Sequence, residues 1–125
     1  MQDNIIFKGN VSEQEKIKLL QQSQVLVNPS LVEGFGIVVL EGFASSKPVI
    51  VSDSKPLSDL VDDSVDGFVV SSTNSSAWTE KIVELLSNPD KVKKMGEEGR
   101  KKVVSKYSIS KLSDDLISLY EEVLR

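Results

Sequence analysis

A chain of 125 residues is sized for one domain and can bury roughly two-thirds of the surface its unfolded form exposes. It carries no cysteine and no histidine, which excludes disulfides, thiolate metal sites and thiol catalysis and removes the commonest general base at neutral pH. The net charge of −4 and the interruption of the lysines of 91–102 by Glu97 and Glu98 leave no basic footprint for nucleic acid, and no apolar segment approaches the ~20 residues of a membrane span.

In chain order, Asn4-Ile5-Ile6-Phe7-Lys8-Gly9 reads as a short strand closed by glycine. Ser12 with Glu15 three residues on is a capping-box signature, opening an amphipathic helix with Ile17 and Leu20 inward. Gln24 to Asn28 is a second strand, and its apolar run suits a strand covered on both faces. A loop and an apolar helix follow to about Ser46. Lys47-Pro48 breaks that helix before a third strand, Val49-Ile50-Val51. A helical turn is expected through Asp59-Leu60-Val61, and Asp66-Gly67 turns into a fourth strand, Phe68-Val69-Val70.

From Ser72 the pattern becomes helical. Ser75 or Asn74 caps a helix with Trp78, Ile82, Val83, Leu85 and Leu86 inward, and Asn88-Pro89-Asp90 ends it and caps the next. Gly96 and Gly99 weaken that second helix, each by about 1 kcal/mol relative to alanine. Ser108 or Ser110 caps a last helix whose apolar set, Leu112 to Leu124, is broad for a single covered surface. The alternation predicts an α/β fold, Rossmann-like, with a parallel sheet of about four strands, helices on both faces and a helical C-terminal third.

The stretch 28–41 organises the chain. Its Gly34-Phe35-Gly36 turn joins a strand to a helix at the carboxyl end of a parallel sheet, where open α/β folds bind ligands. Glycines allow close approach of backbone, and the following helix aims free amides and its positive dipole end at the same point, favouring phosphate. Glu33 precedes the turn, and Glu41 lies about 7–8 Å into a helix whose apolar neighbours suggest burial all round. A carboxylate there needs a partner. Two remain open on these residues: an ion pair with a lysine or arginine, or a pair of sugar hydroxyls donating to it. Paired carboxylates also serve glycoside hydrolysis, a weaker reading here because the pair brackets a helix terminus rather than an open cleft. Asp53 follows the third strand and fits a turn or capping role better than a ligand contact. Asp59, Asp62, Asp63 and Asp66 lack calcium-loop spacing and read as solvated or capping residues, so no metal site is assigned.

The run Pro29-Ser30-Leu31-Val32-Glu33-Gly34-Phe35-Gly36-Ile37-Val38-Val39-Leu40-Glu41 resembles the Glu-x7-Glu signature of glycosyltransferase family 4, the retaining enzymes of GT-B fold. The likeness continues through Ala44 to Asp53, Asp66 to Val70, Tyr107-Ser108 and Leu119 to Leu124. The resemblance implies one domain over residues 1–125, part of a C-terminal donor-binding domain truncated on its N-terminal side. It implies a site for a nucleoside diphosphate sugar, a UDP- or GDP-hexose, as substrate and with no cofactor. Glu33 would act beside the hexose, the backbone of Gly34, Phe35, Gly36 and Ile37 would meet hexose and diphosphate, and Glu41 would hold the ribose hydroxyls. The family pattern has glycine where Ser46 stands, Gly-Gly at Lys55-Pro56 and Pro-Glu at Ser58-Asp59.

The chain is further expected to begin after an acceptor domain and after the segment that supplies an arginine and a lysine to the diphosphate. Alone it is then not expected to catalyse transfer. Residues 5–8 are expected to move in beside 25–28, or two chains to pair, because the open apolar edge is otherwise an aggregation hazard; a homodimer is one option. The expected location is cytoplasmic, with attachment to the inner membrane surface an option for the parent enzyme. The competing readings are a non-catalytic nucleotide-sugar-binding or subunit-interaction module and a ligand-free Rossmann-like domain.

Overall fold

A computed structural model describes residues 2–124, with the side chain of Gln2 excluded. Its centre is a three-stranded parallel sheet, β1 (Leu26–Asn28), β2 (Val49–Ser52) and β3 (Gly67–Val70), in the order β1-β2-β3. Val27 pairs with Ile50, and Ile50 with Phe68. Helices α2 (Ile37–Ala44) and α3 (Leu57–Leu60) cover one face of the sheet and α4 (Ser75–Leu86) and α5 (Pro89–Lys102) the other, with α1 (Glu13–Gln22) beside α2. One turn of π-helix (Val103–Tyr107) leads into α6 (Ile109–Leu124). The α/β class, the parallel sheet and the helical C-terminal part are as the sequence implies.

The central strand β2 is wholly buried and divides the core by the period-two alternation of its side chains. Val49 and Val51 join Val39 and Phe43 of α2 and Leu57 and Leu60 of α3 on one face. Ile50 joins Phe68, Val70, Leu85 of α4 and Met95 of α5 on the other. Several helix starts follow the sequence signals: Ser12 Oγ accepts from the Glu15 amide at 3.1 Å, Asn74 Oδ1 from Ala77 at 3.1 Å, and Asn88 Oδ1 from Lys91 at 3.2 Å. Ser108 Oγ likewise accepts from the Lys111 amide at 3.1 Å.

Four local expectations are corrected. Residues 5–8 form no strand and do not move in beside β1; Ile5, Ile6 and Phe7 are exposed, Phe7 to 93%. An extended segment becomes a strand only where a neighbour satisfies its backbone, and the described sheet ends at β1. β1 is correspondingly not covered on both faces, since Val27 is exposed. On α1, Ile17 is half-exposed rather than part of the core. Nor is α2 buried all round: Val39, Gly42 and Phe43 face the core, whereas Ile37 is 62% exposed and Val38 is also open.

Gly96 and Gly99 are not merely weak points of α5. A Cβ on Gly96 would stand 2.0 Å from the Ser46 carbonyl oxygen, and one on Gly99 would stand 2.4 Å from the Phe43 ring. Side chains at either position would push α5 off the end of α2. Arg100 reinforces that junction by donating from Nη1 to the Ala44 carbonyl at 2.7 Å.

Candidate functional site

The loop from β1 to α2 is shaped by short-range polar contacts. Asn28 Oδ1 accepts from the Ser30 amide at 3.1 Å, and Ser30 Oγ donates to the Val32 carbonyl at 2.8 Å. Ser52, buried at the end of β2, donates to the Ser30 carbonyl at 2.5 Å and ties the loop to the central strand. The loop therefore stands at the carboxyl ends of β1 and β2, as the strand–loop–helix pattern predicts.

Gly36 caps α2 with φ 90°, a left-handed conformation that favours glycine, and its carbonyl accepts from the Val39 amide at 3.0 Å. A Cβ at Gly36 would stand 2.7 Å from Leu60 Cδ1, so the turn is also pressed against α3. Gly34 is different: a Cβ there meets nothing within 4 Å among the described residues. Its backbone faces open space, whereas that of Gly36 is fixed by the fold. Phe35, between them, meets Tyr107 edge-on, with ring centroids 6.5 Å apart at 72°. The amides of Ile37 and Val38 at the start of α2 have no intrahelical acceptor and point out of the helix start.

Glu33 is half-buried in this loop, and no hydrogen bond or ion pair to its side chain is found among the described residues. Glu41 has a partner. Its Oε2 lies 3.0 Å from Lys16 Nζ on α1, and its side chain is 26% exposed. Lys16 also reaches Glu13 Oε1 at 2.9 Å. The hydrogen bonds it donates to Glu13 and then Glu41 hold the Lys16 ammonium above its usual pKa, so it is charged at neutral pH. Two clefts flank Glu41. One of about 560 Å³ runs along Ile17, Leu20 and Gln21 to Ser45 and Arg100, and one of about 240 Å³ is walled by Leu19, Leu20, Val25, Leu26 and Val38.

The structure thus brings Gly34, Phe35, Gly36 and Ile37 to one turn and places Glu41 on the flank of α2 that faces α1. The ion pair foreseen for Glu41 exists, but the sequence could not select Lys16 among fifteen basic residues. Tyr107 was legible only as part of a family-like C-terminal pattern, not as a contact of Phe35. Asp53, exposed after β2, accepts from the Ser72 amide at 3.4 Å and ties the ends of β2 and β3, a long-range contact rather than the turn or capping role expected of it.

Asp66 departs from expectation, being 1% exposed instead of solvated. Its carboxylate pairs with Lys102 of α5, which also lies 2.9 Å from Asp62 Oδ2 and donates to the Leu60 carbonyl at 2.8 Å. Burial lowers the Lys102 pKa, but Asp66 and Asp62 outweigh it and the net direction is upward. This network is structural. No group of three or more carboxylates among the described residues is arranged to hold a metal ion.

Known proteins align with this arrangement. Residues 1–102 match the family described as glycosyl transferases group 1. An uncharacterised glycosyltransferase of Methanocaldococcus jannaschii, MJ1178, is 34% identical over 130 residues, covering 97% of this chain and 37% of that protein. Sucrose-phosphate synthase from Thermosynechococcus elongatus superposes with a TM-score of 0.87 at 25% identity, over 98% of this chain and 31% of that one. S. aureus TarM, solved with fondaparinux, alpha-GlcNAc-glycerol and UDP, gives a TM-score of 0.84 at 26% identity, over 95% and 24%. The chain therefore spans 37% of MJ1178, 31% of the synthase chain and 24% of TarM. These neighbours share the GT-B fold. The match over residues 1–102 and the shared sheet, turn and helix order agree, and the chain belongs to the group 1 glycosyltransferase family.

Proposed function

We propose that this chain is part of the donor-binding domain of a family 4, retaining glycosyltransferase. The parent enzyme transfers a hexosyl group from a UDP- or GDP-hexose to an acceptor. The observation that carries the reading is the pair Glu33 and Glu41 bracketing a left-handed turn at Gly36, which opens α2 at the carboxyl ends of β1 and β2. Glu33, unpaired among the described residues, acts beside the transferring hexose. The backbone of Gly34, Phe35, Gly36 and Ile37 meets hexose and diphosphate, and the positive end of α2 offsets charge developing on the leaving group. Glu41 accepts hydrogen bonds from the ribose hydroxyls. TarM, which shares this fold, was solved with UDP, and that supports a uridine nucleotide as the first ligand to try.

Because the chain spans 37% of MJ1178 and 24% of TarM, the acceptor site and the cations for the diphosphate belong to the rest of the parent protein. The same remainder covers the free edge of β1 and the apolar face of α6, and the isolated chain is inactive. No described helix is long and apolar enough to cross a membrane. The Lys16–Glu41 pair favours one competing reading, a ligand-free tie between α1 and α2. Calorimetric titration with UDP, GDP and their hexoses separates the two. Saturable binding that Glu41→Ala weakens supports the donor site; silence up to millimolar ligand supports the tie.

A further inference from the structure

Glu41 is oriented from outside its own helix. Its carboxylate projects from α2 toward α1, where Lys16 Nζ meets Oε2 at 3.0 Å, and Lys16 is the ion-pair partner of Glu41 among the described residues. Oε1 remains to accept from a ligand. A glutamate with three rotatable bonds at a partly open position samples several rotamers unless something fixes it. Lys16 is itself fixed, because Glu13 draws the ammonium from the other side at 2.9 Å and Ser12 anchors the start of the helix that carries both.

We propose that Lys16 is a positioning residue for the nucleoside end of the donor site, holding Glu41 aimed so that its free oxygen accepts from the vicinal ribose hydroxyls. The inference rests on the donor-site reading above. It makes α1, which contributes nothing to the glycine turn, part of the binding apparatus. It also reconciles the two partners open to Glu41, because one oxygen serves the ion pair and the other the sugar. Removing the ammonium costs ribose recognition without touching the diphosphate contacts at Gly34 to Ile37.

The test compares UDP and GDP with their 2′,3′-dideoxy counterparts by calorimetry on the full chain, for wild type, Lys16→Met, Lys16→Arg and Glu41→Gln. A hydrogen bond to a charged acceptor is worth about tenfold or more in affinity, so wild type should prefer the ribonucleotide by that factor. Lys16→Met and Glu41→Gln should reduce the preference to within about twofold, and Lys16→Arg, which keeps the charge, should retain most of it. If Lys16→Met lowers the melting temperature, or weakens both ligands equally, yet keeps the wild-type preference, Lys16 is a structural tie or a direct ligand contact and the proposal falls. If wild type binds both nucleotides without preferring the ribose form, the role given to Glu41 falls with it. If wild type binds neither, the donor-site reading itself is overturned.

Discussion

The carbonyl of Ser46 occupies the space where a side chain on Gly96 would begin: a Cβ there would stand 2.0 Å from the oxygen. This one approach lets α5 lie across the end of α2, and with Gly99 against Phe43 it couples the C-terminal helices to the helix that follows the glycine turn.

Gly96→Ala is expected to destabilise the chain even though alanine is the better helix former. The intrinsic gain is about 1 kcal/mol, and backbone on backbone cannot yield as a side chain can. Urea unfolding should show a net loss of about 2 kcal/mol or more. An unchanged or raised midpoint would contradict the close approach.

Ser46 itself has φ 60°, a left-handed conformation that costs a non-glycine residue about 1 kcal/mol. Ser46→Gly should therefore stabilise by at most about 0.5 kcal/mol after allowance for the greater freedom of glycine in the unfolded chain. The same denaturation experiment reads it.

Lys102→Met strips the buried Asp66 carboxylate of its counter-charge and should cost about 3–5 kcal/mol. The dependence on pH has a definite sign. Lys102 is raised above its ordinary value of 10.5 in the folded chain, so its contribution is complete below about pH 10.5 and is lost as the pH climbs through the raised value. The Asp66 pKa is itself raised, chiefly by burial, so acid protonates the carboxylate and relieves the unpaired charge of the variant. Melting curves of wild type and variant should therefore converge in acid and in strong alkali and stay apart between. Convergence near neutrality would contradict the assignment.

Gly34 and Gly36 should respond oppositely to alanine. Gly36→Ala meets a left-handed φ and Leu60 together and should cost about 1–3 kcal/mol of stability. Gly34→Ala enters open space and should leave the melting temperature unchanged. If the Gly34 backbone lies against the donor, the added methyl should weaken UDP severalfold, by about 1 kcal/mol or more. Equal affinity for UDP in wild type and Gly34→Ala would remove Gly34 from the site.

Tyr107→Ala removes the edge-on partner of Phe35 and should cost about 0.5–1.5 kcal/mol beyond the area it exposes. Because that contact braces the turn, hydrogen exchange at residues 34–37 should quicken in the variant. Unaltered exchange there, with loss confined to residues 103–124, would show that Tyr107 anchors only the π-turn and the helix that follows it.

By itself the sequence determined what local chemistry controls. Ser12, Asn74, Asn88 and Ser108 announced their helices because a cap is a contact between near neighbours. The strand–turn–helix at 26–44 and the buried run at Val49-Ile50-Val51 followed from periodicity. The Glu-x7-Glu spacing pointed to the family. Tertiary structure decided whatever depends on residues distant along the chain. Ile5-Ile6-Phe7 has the composition of a strand and forms none, because a ladder needs a neighbour as well as a propensity. Ile37 and Val38 are apolar yet open, since only one flank of α2 meets the core. Asp66 looked like a turn residue and is a buried anchor, because Lys102 arrives from another helix. Lys16 became the partner of Glu41 only once α1 lay beside α2, a placement no local pattern encodes.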